Sequence, residues 1–279
     1  GRMSGERLAL VFAAAICCAA YAEEGTFKVL AVGNSFSANA MRYFSDIVKA
    51  SGRTVVAKNA SIGGCDFERH MRHADAFEAN PEDPEGRPYG GKSLKDMLVA
   101  EKWDVVTIQQ VSRKSFLPET FHPHADRLIA YIRKYAPQAE IVVHATWAYR
   151  ENHEWFKDRA KFAAMPASTD EMYGKVTAAY EAFARENGFR LIPSVYAIES
   201  ARRDPAYGKA GKETIGKDGY HASPAGEYLL GCVWMEFLLG QSALGNTFVP
   251  PGVSVEDAAI LQRIAHRVAT EGERPKPAK

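Results

Sequence analysis

Short, strongly apolar runs alternate along this chain with longer segments in which apolar residues recur at helical spacing. Most of the short runs lack a strict alternation of apolar and polar residues, which is typical of strands covered on both faces of a sheet. The predicted strands cover residues 27–32, 54–58, 104–108, 140–145 and, with a weaker pattern, 189–192.

Helical patterns lie between these strands and after the last one. Strands that alternate with helices favour parallel pairing through right-handed crossovers. We therefore predict an α/β protein, a three-layer α/β/α sandwich around a central parallel sheet of about five strands. The predicted helices cover residues 39–51, 93–101, 122–135, 171–187, 224–239 and 255–269.

Two segments interrupt the alternation. Residues 80–91 are rich in proline, glycine and charge, which indicates a loop. Residues 147–169 are aromatic and charged without a clear period, and we interpret them as an insertion after the fourth strand. Because open α/β sheets bind ligands at the carboxyl ends of their strands, the residues that follow strands are the first candidates for chemistry.

The two termini differ from the rest of the chain. Arg2 and Arg7 precede an apolar stretch, residues 8–20, and a small-residue site ends at Ala22, so residues 1–22 are typical of a secretory signal peptide. The stretch is too short to span a membrane. We expect a secreted or periplasmic protein without stable membrane insertion after cleavage, consisting of one domain over residues 23–270 and a disordered tail over 271–279.

Composition excludes several function classes. The 279 residues are 46% hydrophobic and 25% charged, which is ordinary for a soluble globular protein. The formal net charge of +1 gives no electrostatic reason to expect nucleic acid as a partner. Signal cleavage leaves only Cys65 and Cys232, which is no disulfide framework. An oxidising compartment permits a bridge between them, but the sequence does not establish that they are close.

A serine follows the first predicted strand, in the segment Gly33-Asn34-Ser35. A serine at a strand-to-helix turn is exposed and lies beside backbone N–H groups that can stabilise an oxyanion. It needs a neighbouring base before it can attack a carbonyl. The alternative is that Asn34 and Ser35 only cap the following helix.

An Asp-x-x-His segment, Asp218 to His221, lies late in the chain. Imidazole can accept a serine proton near neutral pH, and a carboxylate in the same loop can fix the tautomer and orientation of the ring. The alternative is a surface loop with an isolated histidine.

Further donors follow the second and third predicted strands. Gly64 can bring its backbone N–H close to an oxyanion, and the side-chain amides of Gln109 and Gln110 can add another donor. The alternatives are a plain glycine turn and two solvated glutamines.

Together these residues resemble the SGNH hydrolase superfamily, also called the GDSL-type esterases, over most of the chain after residue 22. The first block of that family normally reads Gly-Asp-Ser and here reads Gly33-Asn34-Ser35. The second-block glycine corresponds to Gly64, with Asn59 five residues before it, and the last block corresponds to Asp218 and His221.

The resemblance implies a flavodoxin-like fold, with Ser35 as nucleophile, His221 as base and Asp218 as its orienting residue. It also implies an oxyanion hole formed by the backbone N–H groups of Ser35 and Gly64. The third block departs from the family, because Gln109-Gln110 and the residues after them lack its asparagine donor. Gln110, or else Gln109, is the expected replacement. Several segments, including the one around Gln109-Gln110, look like a bacterial SGNH-like family of unknown function.

Other side chains near the predicted strand ends are candidates for substrate binding. They are Asn34, Gln109, His144 and Trp147, and ordinary packing is the alternative for His144 and Trp147. Histidine pairs occur at His70/His73 and His122/His124, but no cysteine partner or His-Glu-x-x-His pattern accompanies them. We therefore expect neither a metal nor a cofactor.

These features predict a secreted serine esterase that removes small acyl groups, O-acetyl groups in particular, from a carbohydrate. The expected partner is a small-molecule or polysaccharide ester. The alternative from a different class is a carbohydrate-binding protein on the same scaffold that has weak or no catalysis, because the third oxyanion donor is missing.

Overall fold

The computed structural model describes residues 25–158 and 160–278, and the predicted signal peptide lies outside them. Five parallel strands form one sheet in the order β2-β1-β3-β4-β5. They span Phe27–Gly33 (β1), Val55–Ser61 (β2), Val105–Ile108 (β3), Glu140–His144 (β4) and Leu191–Ile192 (β5). The predicted α/β class and five-stranded parallel sheet are confirmed.

Nine α-helices occur among the described residues and cover both faces of the sheet. One face carries α3 to α6, which connect β2 through β5, and the other carries α1, α2, α7, α8 and α9. The helices span Ser35–Met41 (α1), Phe44–Ala50 (α2), Phe67–Ala79 (α3), Leu94–Val99 (α4), His124–Tyr135 (α5), Thr169–Asn187 (α6), Ser194–Arg203 (α7), Pro224–Leu239 (α8) and Val255–Thr270 (α9).

Local sequence signals explain several helix boundaries. The Ser93 hydroxyl and the Asp96 carboxylate form a reciprocal capping box at the start of α4. Ser223 caps α8 and Pro224 occupies its first position, as the sequence predicts. Helix α8 is apolar on all sides because it packs against α1 and α2 as well as against α7 and α9.

The structure differs from the predicted elements at two places. The helix predicted over 39–51 is two helices, which separate at Arg42 and Tyr43. Helices α3 and α7 were not predicted, because charged residues are spread through α3 and α7 is short and nearly all buried. The segment interpreted above as an insertion lies between β4 and α6, and its described residues, 147–158 and 160–168, are irregular apart from the 3₁₀ turn Glu154–Phe156.

The segment after α9 also differs from our expectation of disorder. In its described part, residues 271–278, the carbonyl of Pro275 accepts a hydrogen bond from the Tyr173 hydroxyl, and that of Lys276 accepts one from the Arg203 guanidinium at 2.7 Å. These contacts place the segment against α6 and α7. The two prolines favour an extended backbone that exposes its carbonyls to such donors.

The order of the strands indicates where a ligand-binding site should lie. The chain runs outward from β1 to β2 and then returns across β1 to β3, so the topology switches direction beside β1. Ligands of open α/β sheets bind at such a point, outside the carboxyl ends of the strands. Ser35 directly follows β1 there. In the described part of the chain, no helix combines the length and apolar character that a membrane span requires.

Candidate active site

The turn after β1 presents Ser35 at the start of α1. Asn34 is in an extended conformation and caps the helix, since its side-chain oxygen accepts the N–H of Phe36 at 2.9 Å. The capping interpretation therefore holds for Asn34. Ser35 becomes the first helical residue and is partly exposed, whereas Asn34 and Phe36 are buried on either side of it.

Gly33 makes this turn possible. A Cβ atom at residue 33 would lie 2.7 Å from the Ser37 Oγ and 2.8 Å from the Gln109 Oε1, closer than packed atoms approach. The Gly33 carbonyl also accepts a hydrogen bond from the His70 imidazole at 3.0 Å, which ties α3 to the end of β1. The backbone before Ser35 is thus enclosed by neighbouring side chains.

The loop with Asp218 and His221 is closed by a short antiparallel bridge between Ile215 and Ala222. The N–H of Gly216 donates to the His221 carbonyl at 2.8 Å. Gly219 has φ = +87°, and a Cβ there would lie 2.9 Å from the His153 ring, so this position requires glycine. The loop is consequently fixed in shape before α8 begins.

The structure brings Ser35, His221 and Asp218 together in one hydrogen-bonded chain. The Ser35 Oγ lies 2.8 Å from the His221 Nε2, and the His221 Nδ1 lies 2.7 Å from the Asp218 Oδ2. The second carboxylate oxygen of Asp218 accepts the backbone N–H groups of Tyr220 at 3.0 Å and His221 at 3.1 Å. This geometry suits proton transfer from the serine to the imidazole.

The pKa of Asp218 is lowered from its usual value. Partial burial acts to raise it, but the backbone N–H of Tyr220, the His221 ring and the backbone N–H of His221 all donate to the carboxylate and together outweigh burial. The carboxylate therefore stays charged at neutral pH and can hold a proton on the His221 Nδ1.

Two backbone N–H groups in the loops after β1 and β2 have no hydrogen-bond partner among the described residues. Within residues 25–158 and 160–278, neither the N–H of Ser35 nor that of Gly64 donates a hydrogen bond. Gly64 has φ = +66°. Its loop is held beside the serine turn, because the side chain of Asn34 donates to the Cys65 carbonyl at 3.1 Å and the N–H of Ile62 donates to the Gly33 carbonyl at 3.4 Å.

Gln110 is not placed as we predicted for a third oxyanion donor. Its amide nitrogen donates to the carbonyl and hydroxyl of Thr120 at 3.2 and 3.3 Å. Its amide oxygen accepts the N–H groups of Phe67 and Val111 at 3.2 and 2.9 Å. The side chain is buried and joins the loop after β3 to the start of α3. Both ends of its amide are therefore hydrogen-bonded to protein groups.

The four residues predicted to bind substrate are all enclosed by protein. Asn34 and Gln109 are 2% exposed, and His144 and Trp147 are 0% exposed. The Gln109 amide donates to the Asn34 side-chain oxygen at 3.2 Å, so these two residues stabilise the serine turn. This arrangement differs from our expectation, because a position after a strand does not determine whether its side chain points outward or into the packed layers.

His144 and Trp147 occupy separate places behind the site. The His144 Nε2 lies 2.8 Å from the Ser194 Oγ, and burial lowers the pKa of this histidine to about 3. The Trp147 ring stacks on Phe36, and its indole N–H donates to the Tyr220 carbonyl at 2.8 Å. The contact with Tyr220 was not foreseeable from the sequence, because residues 147 and 220 are far apart in the chain.

Arg113 is a residue at this site that our sequence reasoning missed. It lies in the short turn after β3, and its guanidinium donates to the Gly64 carbonyl at 3.2 Å. The next residue, Lys114, forms an ion pair with Asp66 at 2.6 Å. The only available signal was an Arg-Lys pair at the place of the missing third block.

The remaining candidates do not assemble a second site. The described residues contain no group of three or more histidine, cysteine or acidic side chains placed to hold a metal ion. Both nitrogens of His70 are hydrogen-bonded, to Tyr89 and to Gly33. Cys65 and Cys232 are buried free thiols, and burial raises the pKa of Cys65 to about 12, which keeps it protonated.

Comparisons with solved structures agree with the architecture described above. A DUF4886 family protein from Bacteroides uniformis is 27% identical and superposes with a TM-score of 0.75, covering 90% of this chain and 98% of its own. A structure described as a putative GDSL-like lipase from Parabacteroides merdae is 15% identical with a TM-score of 0.50, covering 77% of this chain and 96% of its own. The second likeness shows the fold, which is that of the SGNH or GDSL-type hydrolases.

Comparison by sequence identifies a family but no curated relative. No curated protein matches this chain by sequence. The family model for DUF4886, a domain of unknown function, matches residues 28–268, which include β1 from its second residue onward, the other four strands and the Ser35, Asp218 and His221 positions. This chain therefore belongs to the DUF4886 family, a divergent family with the SGNH hydrolase fold.

Proposed function

We propose that this protein is a secreted serine esterase that hydrolyses small acyl esters, O-acetyl esters in particular, on a carbohydrate. The observation that carries the proposal is the continuous hydrogen-bonded chain from the Ser35 Oγ through His221 to the Asp218 carboxylate, with distances of 2.8 and 2.7 Å. Its position at the carboxyl end of β1 adds support, because this is where the fold binds ligands.

In the proposed mechanism, His221 accepts the Ser35 proton while the serine oxygen attacks the ester carbonyl. Asp218 keeps the proton of the His221 Nδ1 in place and stabilises the imidazolium that forms. The negative oxygen of the tetrahedral intermediate accepts hydrogen bonds from the N–H groups of Ser35 and Gly64.

The intermediate then collapses, and the alcohol leaves with the proton from His221. The acyl group remains on Ser35 until a water molecule, deprotonated by His221, attacks the acyl-enzyme. This second half of the reaction releases the acid and restores the serine hydroxyl. Each step uses the same two hydrogen bonds, so one geometry serves both halves.

Aromatic side chains near the loop of His221 support the carbohydrate assignment. Tyr220, which precedes His221, contacts the His153 ring, and that ring also contacts Trp155. Trp155 in turn stacks on Phe162, with centroids 3.8 Å apart, in the segment after β4. Tyr220, Trp155 and Phe162 are partly exposed and can pack against a sugar ring. The predicted signal peptide favours an extracellular substrate.

A direct test compares the wild-type protein with Ser35→Ala on p-nitrophenyl acetate near pH 8. Ser45→Ala is the matched control, because Ser45 is an exposed serine on α2. We expect hydrolysis to disappear in Ser35→Ala alone, and acetate release from acetylated polysaccharides to follow the same pattern. Equal rates in all three proteins would refute the nucleophile assignment.

A carbohydrate-binding protein without catalysis is the second candidate, and the engagement of the Gln110 amide by Thr120 favours it. Two backbone donors then remain, and each lost donor costs roughly a hundredfold or more in rate. A serine-reactive fluorophosphonate separates the candidates. Labelling at Ser35 supports the esterase, whereas glycan binding without labelling supports the binding protein.

A further inference from the structure

The loops around Gly64 have an excess of positive charge. Arg113, in the turn after β3, and Arg69 and Arg72, in the first turns of α3, act electrostatically on the Cys65 thiol next to Gly64. Arg72 also pairs with Glu85 at 4.0 Å, so Arg69 and Arg113 remain against one carboxylate, Asp66. That carboxylate is already neutralised by Lys114 at 2.6 Å. The side of the site formed by the second and third loops is therefore cationic, although the whole chain is nearly neutral.

Arg113 is the arginine closest to the reacting groups. Its Nη1 donates to the Gly64 carbonyl at 3.2 Å and would lie 3.7 Å from a Cβ placed on Gly64, whose N–H is a proposed oxyanion donor. Its charge also reaches Tyr149, whose hydroxyl lies 2.7 Å from the Ser112 Oγ and whose ring contacts Tyr220. Burial raises the pKa of the Tyr149 phenol, and the Ser112 hydroxyl and the charge of Arg113 oppose that rise.

The guanidinium retains most of its hydrogen-bonding capacity. It has five N–H donors in a planar fork, and the bond to Gly64 uses one nitrogen. Among the residues that the structure describes, Arg113 forms no ion pair. The contact with Gly64 is solvent-exposed, so the remaining N–H groups are accessible to a ligand, and a guanidinium fits a carboxylate in a bidentate manner.

We propose that Arg113 is a specificity-determining residue that binds a carboxylate on the substrate, so that the preferred substrate is an acylated acidic sugar. This inference rests on the proposed function, because it assigns the substrate class of the same site. The sugar carboxylate pairs with the free edge of the guanidinium while the ester carbonyl lies against the N–H groups of Ser35 and Gly64. Arg113 contacts a part of the substrate that does not react.

The test uses an O-acetylated glucuronic acid and its methyl ester, which lacks the negative charge, and it measures release of acetate so that hydrolysis of the methyl ester group is not counted. We expect the wild-type kcat/KM to be about 10- to 100-fold higher for the free acid, as for a charge-assisted hydrogen bond. Arg113→Ala removes this preference through a higher KM for the acid, so the ratio of kcat/KM for the acid to that for the methyl ester falls to about 1. Arg263→Ala, which removes an exposed cation on α9, preserves the preference.

Two results would overturn the inference while the esterase assignment stands: a wild-type enzyme that does not discriminate the two sugars, or an Arg113→Ala variant whose kcat falls equally on both. The second result would make Arg113 an oxyanion donor or a structural residue.

A Ser35→Ala background makes the test independent of turnover. There, calorimetry should show salt-sensitive binding of the acid that Arg113→Ala weakens, and equal affinities would also overturn the inference.

If the wild-type protein hydrolyses neither sugar nor p-nitrophenyl acetate, the esterase proposal fails. The binding comparison then still decides whether Arg113 recognises the carboxylate. The experiments therefore distinguish a wrong proposal about the substrate from a wrong proposal about the reaction.

Discussion

The indole ring of Trp147 stacks on the phenyl ring of Phe36, with ring centroids 4.2 Å apart and planes 2° from parallel. Phe36 directly follows Ser35. The indole N–H of the same tryptophan donates at 2.8 Å to the carbonyl of Tyr220, which directly precedes His221. One buried side chain therefore contacts the neighbours of both proposed catalytic groups and fixes the distance between two loops.

This contact makes Trp147 a positioning residue with a separable effect on catalysis. Trp147→Phe preserves an aromatic ring against Phe36 but removes the hydrogen bond to Tyr220. We expect kcat to fall about 10- to 100-fold with KM little changed, because small displacements of reacting groups are costly. Steady-state kinetics on p-nitrophenyl acetate measure this split.

Trp103→Phe is the matched control, since Trp103 is equally buried and donates to the Met97 carbonyl at 2.9 Å. Both variants should lose roughly 1–2 kcal/mol of unfolding free energy. Only Trp147→Phe should lose activity. An equal loss of kcat in both would mean that the effect is one of general stability.

Asp218→Asn tests the orienting carboxylate. The amide cannot hold the imidazole in the correct tautomer with the same strength, so we expect kcat to fall about a thousandfold or more. Asp126→Asn is the control, because Asp126 pairs with His122 at 2.7 Å in the same Asp–His geometry on the surface. If His221→Ala is inactive and Asp218→Asn is not, another group orients His221.

Gln110→Ala should affect stability rather than catalysis. It leaves the N–H groups of Phe67 and Val111 without an acceptor, so we expect a loss of roughly 2–4 kcal/mol in urea unfolding. The kcat of the folded variant should remain within about threefold. Gln138→Ala, at an exposed glutamine, should change neither quantity. A hundredfold fall in kcat would instead indicate that the Gln110 side chain is an oxyanion donor.

The buried histidines predict a loss of stability in acid. Burial lowers the pKa of His144 to about 3 and that of His70 to about 4, both from 6.5. Below pH 6.5 the unfolded chain therefore binds protons that the folded protein does not. Stability rises with pH in this window, and each histidine contributes up to about 1.4 kcal/mol per pH unit between its folded pKa and 6.5.

Thermal unfolding between pH 4 and pH 8 measures this dependence. His144→Gln should be less stable than wild type at pH 8 and should show a shallower decrease towards pH 4. His122→Gln is a control of opposite sign, because the hydrogen bond to Asp126 raises the pKa of His122 and stabilises the folded state in acid. Parallel curves for wild type and His144→Gln would contradict this account.

The sequence predicts the fold and the local features of the site because these depend on short-range patterns. Apolar runs locate the strands, and the proline after Ser223 marks the start of α8. The spacing of Asp218 and His221 places both side chains in one loop. None of these inferences requires knowledge of a distant contact.

The direction and burial of side chains at the strand ends are not determined by such patterns. Asn34, Gln109 and Trp147 all follow strands, as predicted, yet they point into packed layers that assemble from distant segments. Arg113 lies beside Gly64 for the same reason, through a contact across 49 residues. Long-range packing decides which residues at a strand end meet the solvent.

The hydrogen bond between Ser35 and His221 joins residues 186 positions apart in the chain. During synthesis Ser35 leaves the ribosome long before His221 has been added to the chain. Helix α8, which directly follows the loop of His221, is made later still. A growing chain therefore lacks the proposed catalytic pair until nearly all of it has been made. Recovery of hydrolysis after refolding would therefore report completion of the whole domain, later than any signal from the first strands.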